Sequence, residues 1–452
     1  MLRDTIAELV AGWRSNPLDP EVRHHTERAV LDWFGATIAG STMPPASALA
    51  RGLEHELETG PASLIPSGRR ALPRAAALIN ATAAHTAEVD DIFRDGIYHP
   101  GAPTIAAALA AGQIHAARGD EFLSSVAIGF EVGTRIAAAI NPTHYRFWHT
   151  TGTVGAIGAA VAAASILGCG RDEIADAIGT ATTLAAGLQQ AFRSEAMSKP
   201  LHAGHAADVG MLAALGASAG LSSAEDVLEG ERGFTAAMAE GADLSSAFRD
   251  PELGNINRIT FKNHVGCGHT FAPVDAVLLL ASEHGLTAGD IQHIDVATYA
   301  VAIEVAGNPS PRTSFEAKFS IQHAVAAAFE LGSVRLRAFT DEALVNTTIR
   351  RLRDGVRLEI DDAIDAMFPK QRAARVAIEL TDGRTLVHLA PTRRGDPDAP
   401  LTDEELEDKF AELAAPAVGD EAARKVADLI WQIHGMTRIT DLLDELASTV
   451  RA

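Results

Sequence analysis

Gly152-Thr153-Val154-Gly155-Ala156-Ile157-Gly158-Ala159-Ala160-Val161-Ala162-Ala163-Ala164-Ser165-Ile166-Leu167-Gly168-Cys169 is an uncharged run long enough to cross a membrane or to form the hidden helix of a globular core. Choosing between these decides the fold. The run is mostly alanine and glycine, has no aromatic belt and no flanking basic cluster, and therefore reads as a buried helix. Working outward, residues 103–117, 121–140 and 172–190 carry apolar side chains at three- and four-residue spacing, as do 5–13 and 20–39. Gly, Pro, Asn and Asp clusters, such as Asn141-Pro142 and residues 168–172, separate them. Several segments are too apolar all round to lie on a surface, so the pattern from residue 2 to about 260 predicts a central helical bundle.

After Lys262 the texture changes. Residues 291–301 alternate as a strand, 356–360 read as another, and 375–380 with 385–389 read as a hairpin around Asp382-Gly383. Helical segments at 274–283, 319–331 and 341–352 intervene. A polar loop, 391–400, leads back to helix at 402–413 and 420–446. The fold class expected is mainly α with an α+β lid. A helical domain formed by residues 1–265 and 393–452 would carry a smaller α+β domain at 266–392.

At 452 residues the chain exceeds a single core. Aromatics are only 5% of residues, which disfavours β-sandwiches. The net charge of −21 argues against nucleic-acid binding and means that an anionic substrate must be met by a local cluster of cations. The two cysteines, Cys169 and Cys267, imply no disulfide framework and fit a reducing cytoplasm. The N-terminus has no signal-peptide apolar core, and no membrane partner is expected.

Four polar clusters stand out against the alanine background. The first is His85-Thr86-Ala87-Glu88-Val89-Asp90-Asp91 with Tyr98-His99-Pro100-Gly101, where paired carboxylates beside histidines suit proton transfer or, alternatively, Mg²⁺. The second runs from Arg146 through His149, Thr150 and Thr151 to a glycine-rich helix start that can hold a carboxylate. Its Gly152-x-x-Gly155-x-x-Gly158 spacing is neither a dinucleotide fingerprint nor a P-loop. The third, Met197-Ser198-Lys199-Pro200-Leu201-His202-Ala203-Gly204-His205, opens a helix, with Ser198 or Lys199 as its cap. Lys199 there is a carboxylate clamp, or a base where desolvation lowers its pKa. The fourth is Phe261-Lys262-Asn263-His264-Val265-Gly266-Cys267-Gly268-His269. Its His264, Cys267 and His269 lack the paired spacing of structural zinc, and acid–base work by Cys267 suits them better.

In this order, and together with Ala317-Lys318-Phe319-Ser320-Ile321-Gln322, these segments resemble the MmgE/PrpD family across residues 4–390 or so. That family includes 2-methylcitrate dehydratase, cis-aconitate decarboxylase and iminodisuccinate epimerase. The resemblance implies a helical domain plus an α+β lid, a homodimer, no cofactor or metal, and a site between the domains. It implies Lys199, Cys267, His149, Asp90, Asp91 and His99 as catalytic residues. Lys262, His202, His269, Arg146, Thr151 and Tyr98 would bind a small polycarboxylate. Where the family's cis-aconitate decarboxylases carry histidine and its 2-methylcitrate dehydratases an acid, this chain has Cys267. A lysine and a cysteine suit proton removal and return on opposite faces of a carbon next to a carboxylate. The expectation is therefore an epimerase of a small amino- or imino-dicarboxylate. A hydro-lyase or decarboxylase is the alternative within the family, and metal-dependent hydrolysis or a non-catalytic helical scaffold lies outside it.

Overall fold

The computed structural model describes residues 1–192 and 196–451, with side chains as far as 449. They form two compact units, residues 1–261 with 402–452 and residues 262–401.

The first unit is built around the helix Thr150–Ile166, which is buried at every position. It packs against the helices Ser198–Ser218, Gly101–His115 and Gly119–Ile140. Small residues permit this closeness. A Cβ added at Gly210 would fall 2.5 Å from that of Ala159, and one at Gly204 would fall 2.1 Å from Thr82 Oγ1. Gly204 thereby lets the helix carrying Lys199 and His202 lie against the helix Pro73–Thr86, which ends in His85 and Thr86. Gly119–Ile140 is, among the described residues, the helix long and apolar enough to cross a membrane, and most of it is buried within this unit.

The chain returns to this unit through the helix Asp403–Val418. Thr402 Oγ1 accepts the Glu405 N–H at 3.2 Å, and the Glu405 carboxylate accepts the Thr402 N–H at 2.7 Å. The helix packs on Pro20–Ser41 and carries Lys409 to Asp32.

Three departures from the sequence pattern appear here. An antiparallel ribbon of Leu57–Ser63 with Arg70–Ala71 interrupts the helices, its alternation hidden by a bulge. Between residues 219 and 261 the α-helical content is confined to Phe234–Met238, because Gly220, Gly230, Gly233 and Gly241 break up the apolar spacing. The expected helix at 420–446 is two, Asp420–Ile430 and Thr440–Arg451, with a single turn at Ile433–Gly435 between them.

The second unit holds a four-stranded sheet in the order Val356–Ile360, Ile291–Thr298, Ala374–Leu380, Thr385–Ala390. The first pair is parallel and the others antiparallel. The hairpin turns at Asp382-Gly383, where Gly383 takes φ +87°. The strand predicted to reach residue 301 stops at Thr298, and the helix Ala300–Ala306 follows. The helix Phe271–His284 covers one face of the sheet.

Candidate active site

Three elements of the helical unit bring polar groups together. His85 lies at the end of the helix Pro73–Thr86, Asp90 and His99 in the loop that follows it, and His149 at the N-cap of the central helix. Asp90 Oδ2 is 2.7 Å from His85 Nδ1 and 3.3 Å from His99 Nδ1. The His85 ring stacks on His149 with centroids 5.6 Å apart and meets His99 edge-on at 4.7 Å. His149 Nδ1 and His202 Nδ1 are 3.2 Å apart, a single hydrogen bond between two imidazoles. Phe192 lies against His149 on one side and under the Lys199 ammonium on the other, at 4.8 and 5.5 Å.

Lys199 sits one residue into its helix, which begins at Ser198 with Met197 as a cap lacking a side-chain hydrogen bond; neither Ser198 nor Lys199 is the cap. Its ammonium donates to Glu88 Oε1 at 2.5 Å. Burial opposes this charge, but Glu88, with Asp90 and Tyr145 behind it, outweighs burial and raises the Lys199 pKa. Lys199 is therefore a proton-bearing cation, not the desolvated base that its position alone allowed. The base-like group is His149, which burial first and then its neighbours His85 and Lys199 hold well below the usual imidazole range, hence neutral.

The two adjacent aspartates part company. Burial would raise Asp90, but His85 and His99 pull it well down, so it is ionised. Asp91 is pushed well up, by burial and then by Asp32 and Asp90. Its Oδ1 accepts the Gly101 N–H at 3.0 Å. Behind it, the fully buried Lys409 pairs with Asp32 and donates to the Val89 carbonyl at 2.9 Å. Buried atoms of this region without a protein hydrogen-bond partner include His85 Nε2, Asp90 Oδ1 and Asp91 Oδ2. Such orphans concentrate where a ligand, water or proton completes the set. Glu88 at φ +59° and the β-branched Ile97 at φ +46° hold the ends of the loop in the left-handed region, a strain typical of functional loops.

Among the described residues, the histidine and acidic groups close enough to share a metal ion are His85, Asp90 and His99, with ligand atoms within 4.8 Å of one another. Asp91 is not in this group, so the Asp90–Asp91–histidine arrangement considered for metal-dependent hydrolysis does not form. His264, Cys267 and His269, considered for zinc, form no such group among the described residues, and His264 Nε2 is 2.7 Å from Asp275 Oδ1.

Other expected site residues fall elsewhere. Tyr98 is fully buried, its hydroxyl packed where Cβ atoms on Gly133 or Gly158 would stand, so it belongs to the core. Thr151 Oγ1 accepts the His99 backbone N–H at 3.2 Å and thus positions that histidine. Arg146 is exposed and lies over Phe147 at 5.0 Å.

In the α+β unit, Lys262 is buried and Cys267 half-buried. The Cys267 N–H donates to the Lys318 carbonyl at 2.9 Å, which is what the 317–322 segment contributes. His269 Nδ1 is 2.6 Å from the Tyr299 hydroxyl and its pKa is lowered to about 4, by burial and then by Arg372 and Arg393.

Two family patterns account for most of the chain: the MmgE/PrpD N-terminal domain matches residues 4–247 and the MmgE/PrpD C-terminal domain residues 264–433. The chain belongs to the MmgE/PrpD family. Among the relatives of this MmgE/PrpD protein, the cis-aconitate decarboxylase-like protein oryM of Aspergillus oryzae is 24% identical, over 95% of this chain and 94% of its own. The cis-aconitate decarboxylase of Aspergillus terreus is 25% identical over 98% and 96%, and that of Mus musculus 26% over 96% and 91%.

Asp32, Lys409, Phe192, Tyr299, Arg372 and Arg393 escaped the sequence reading of this MmgE/PrpD protein. For Lys409 a signal existed: it shares the helical spacing of Leu406, Phe410 and Leu413, so it lies on the buried stripe.

The buried histidines set a pH dependence of stability. His25, His144, His149, His202, His269 and His323 are all lowered, each with burial as its first cause, and His144, His202 and His269 reach about 4. The unfolded chain takes these protons near pH 6.5 while the native state refuses them, so stability is full above about 6.5 and falls as pH drops toward 4. Raised Asp91 and Glu27 act oppositely, but they are two against six. The melting temperature should hold from pH 8 to 7 and fall between 6.5 and 5, with net proton uptake on unfolding. A melting temperature that is flat or rising across that window would contradict the assignment.

Proposed function

We propose that this protein is a cofactor-independent enzyme that removes a proton from the carbon beside a carboxylate of a small di- or tricarboxylate and returns one to the opposite face, an epimerase of the iminodisuccinate type. The observation that carries this reading is the pairing of a neutral, buried His149 with a protonated Lys199 beside the Asp90–His85–His99 relay. A neutral imidazole accepts the proton, and the ammonium stabilises the enediolate that develops. Cys267 is the candidate for the second proton-transfer group. A helical scaffold without activity requires dispersed, solvated clusters, whereas in the helical unit His85, Asp90, His99 and His149 are buried and adjacent.

The names of the relatives favour a second reading, decarboxylation of a cis-aconitate-like acid, in which the same cation holds the charge left as CO₂ departs. Incubation in D₂O with iminodisuccinate, citrate-like acids and cis-aconitate, followed by NMR, separates the two. Deuterium entering the α-position without loss of water or CO₂ supports epimerisation. Release of CO₂ supports decarboxylation, and release of water a hydro-lyase. Absence of any exchange or product with all three overturns both readings.

A further inference from the structure

The α+β unit carries a second polar centre, assembled from segments far apart in sequence. A Cβ built on Gly268 would meet Arg393 Nη1 at 2.6 Å and Arg372 Nη1 at 3.8 Å, so two guanidinium groups converge on the backbone next to Cys267. Only glycine leaves room for them. The Arg393 side chain is 3% exposed and held in a two-pronged pair with Asp396, Nε to Oδ2 at 3.0 Å and Nη2 to Oδ1 at 2.8 Å. That fork fixes the guanidinium and leaves Nη1 toward Gly268. Among the described residues Arg372 makes no ion pair of its own, Asp396 being engaged by Arg393 and acting on Arg372 only as a weaker electrostatic neighbour, and the Arg372 Nε is buried without a hydrogen-bond partner. Two arginines against one aspartate leave an excess positive charge in a half-buried place. The His269 imidazole, bonded to Tyr299, adds no compensating negative charge. Burial and then Arg393 lower the Arg372 pKa, and the opposing influence of Tyr299 and Asp396 does not offset them.

We infer that Arg372, backed by the Arg393–Asp396 pair, is a carboxylate-binding site that seats an anionic substrate group with its α-carbon beside the Cys267 sulfur. This deepens the function proposed above by giving the substrate a carboxylate anchor on the cysteine side. A planar guanidinium with an unused Nε–H matches the two oxygens of a carboxylate. The orphaned Nε and the unbalanced charge are both satisfied by such a ligand.

Iodoacetate tests the inference directly, because it is a small carboxylate whose α-carbon is electrophilic. The Cys267 thiol loses its proton to solvent, its sulfur forms the S–CH₂ bond, the C–I bond breaks and iodide leaves. Cys169 serves as the internal control: it is buried and its thiol pKa is pushed up to about 11. In the full-length protein, mapped by peptide mass spectrometry, iodoacetate should alkylate Cys267 at least about tenfold faster than the neutral iodoacetamide, as expected of a cationic cradle. Arg372→Met should bring that ratio to one or below. Arg372→Lys, which keeps the charge and loses the fork, should give an intermediate ratio. Succinate should protect the wild-type thiol and succinamide should not, a readout independent of whether either variant folds. A wild-type ratio at or below one, an unchanged ratio in Arg372→Met, or equal protection by succinate and succinamide overturns the site. A preserved iodoacetate preference with no deuterium exchange on any polycarboxylate removes the epimerase reading and leaves this site standing.

Discussion

Lys199→Met is expected to lower kcat/KM on the accepted carboxylate about 10²–10³-fold while leaving the fold intact, the cost of removing one preorganised charge from a developing oxyanion. The side chain is the partner of Glu88 and stands over the Phe192 ring, and methionine keeps most of its length and can still pack on an aromatic ring. The companion Glu88→Gln separates charge from shape. With the Glu88 charge gone, burial meets only the weaker opposition of Asp90 and Tyr145, so the Lys199 pKa falls and the alkaline limb of the rate profile moves to lower pH. Steady-state rates across pH 6–10 check both variants. Turnover of Lys199→Met within threefold of wild type would remove the lysine from the chemistry.

Lys409→Met is expected to destabilise the protein by about 3–5 kcal/mol, because it strands the buried Asp32 carboxylate without its ammonium. Both side chains are about 1% exposed, so solvent cannot take over the lysine's part. The double variant Asp32→Asn/Lys409→Met removes both charges and should recover most of the loss, as replaced buried pairs commonly do. Urea unfolding of the four proteins of this cycle gives the coupling. A loss below about 1 kcal/mol in the single variant would show that water reaches the pair. The lysine also donates to the Val89 carbonyl, so the single variant should loosen the loop carrying Asp90 and Asp91.

What could be read from the sequence follows from the range of the forces involved. The buried helix at 150–166 and the hairpin at 374–390 were legible because period and turn chemistry are local properties. His85, Asp90, His99, His149 and Lys199 stood out because polar residues are conspicuous in an alanine-rich chain. The states of those groups were not legible. Lys199 looked like a base because its partner Glu88, 111 positions away, could not be assigned from spacing. Tyr98 looked like a substrate contact because nothing local shows that Gly133 and Gly158 make room for its ring. Arg393 and Asp396 read as a solvated loop, yet they form a buried pair whose environment depends on the packing of a whole unit.

The placement of Lys409 also orders the life of the molecule. Asp32 leaves the ribosome early, and its counter-ion emerges 377 positions later, after the entire α+β unit has been made. Until then the helical unit carries an uncompensated carboxylate beneath the loop that holds the Asp90 relay. The surroundings of the histidine cluster are thus completed only after the α+β unit has been made. A nascent or truncated polypeptide ending before residue 409 has every histidine of the cluster but lacks the ammonium that pairs with Asp32 and holds the Val89 carbonyl.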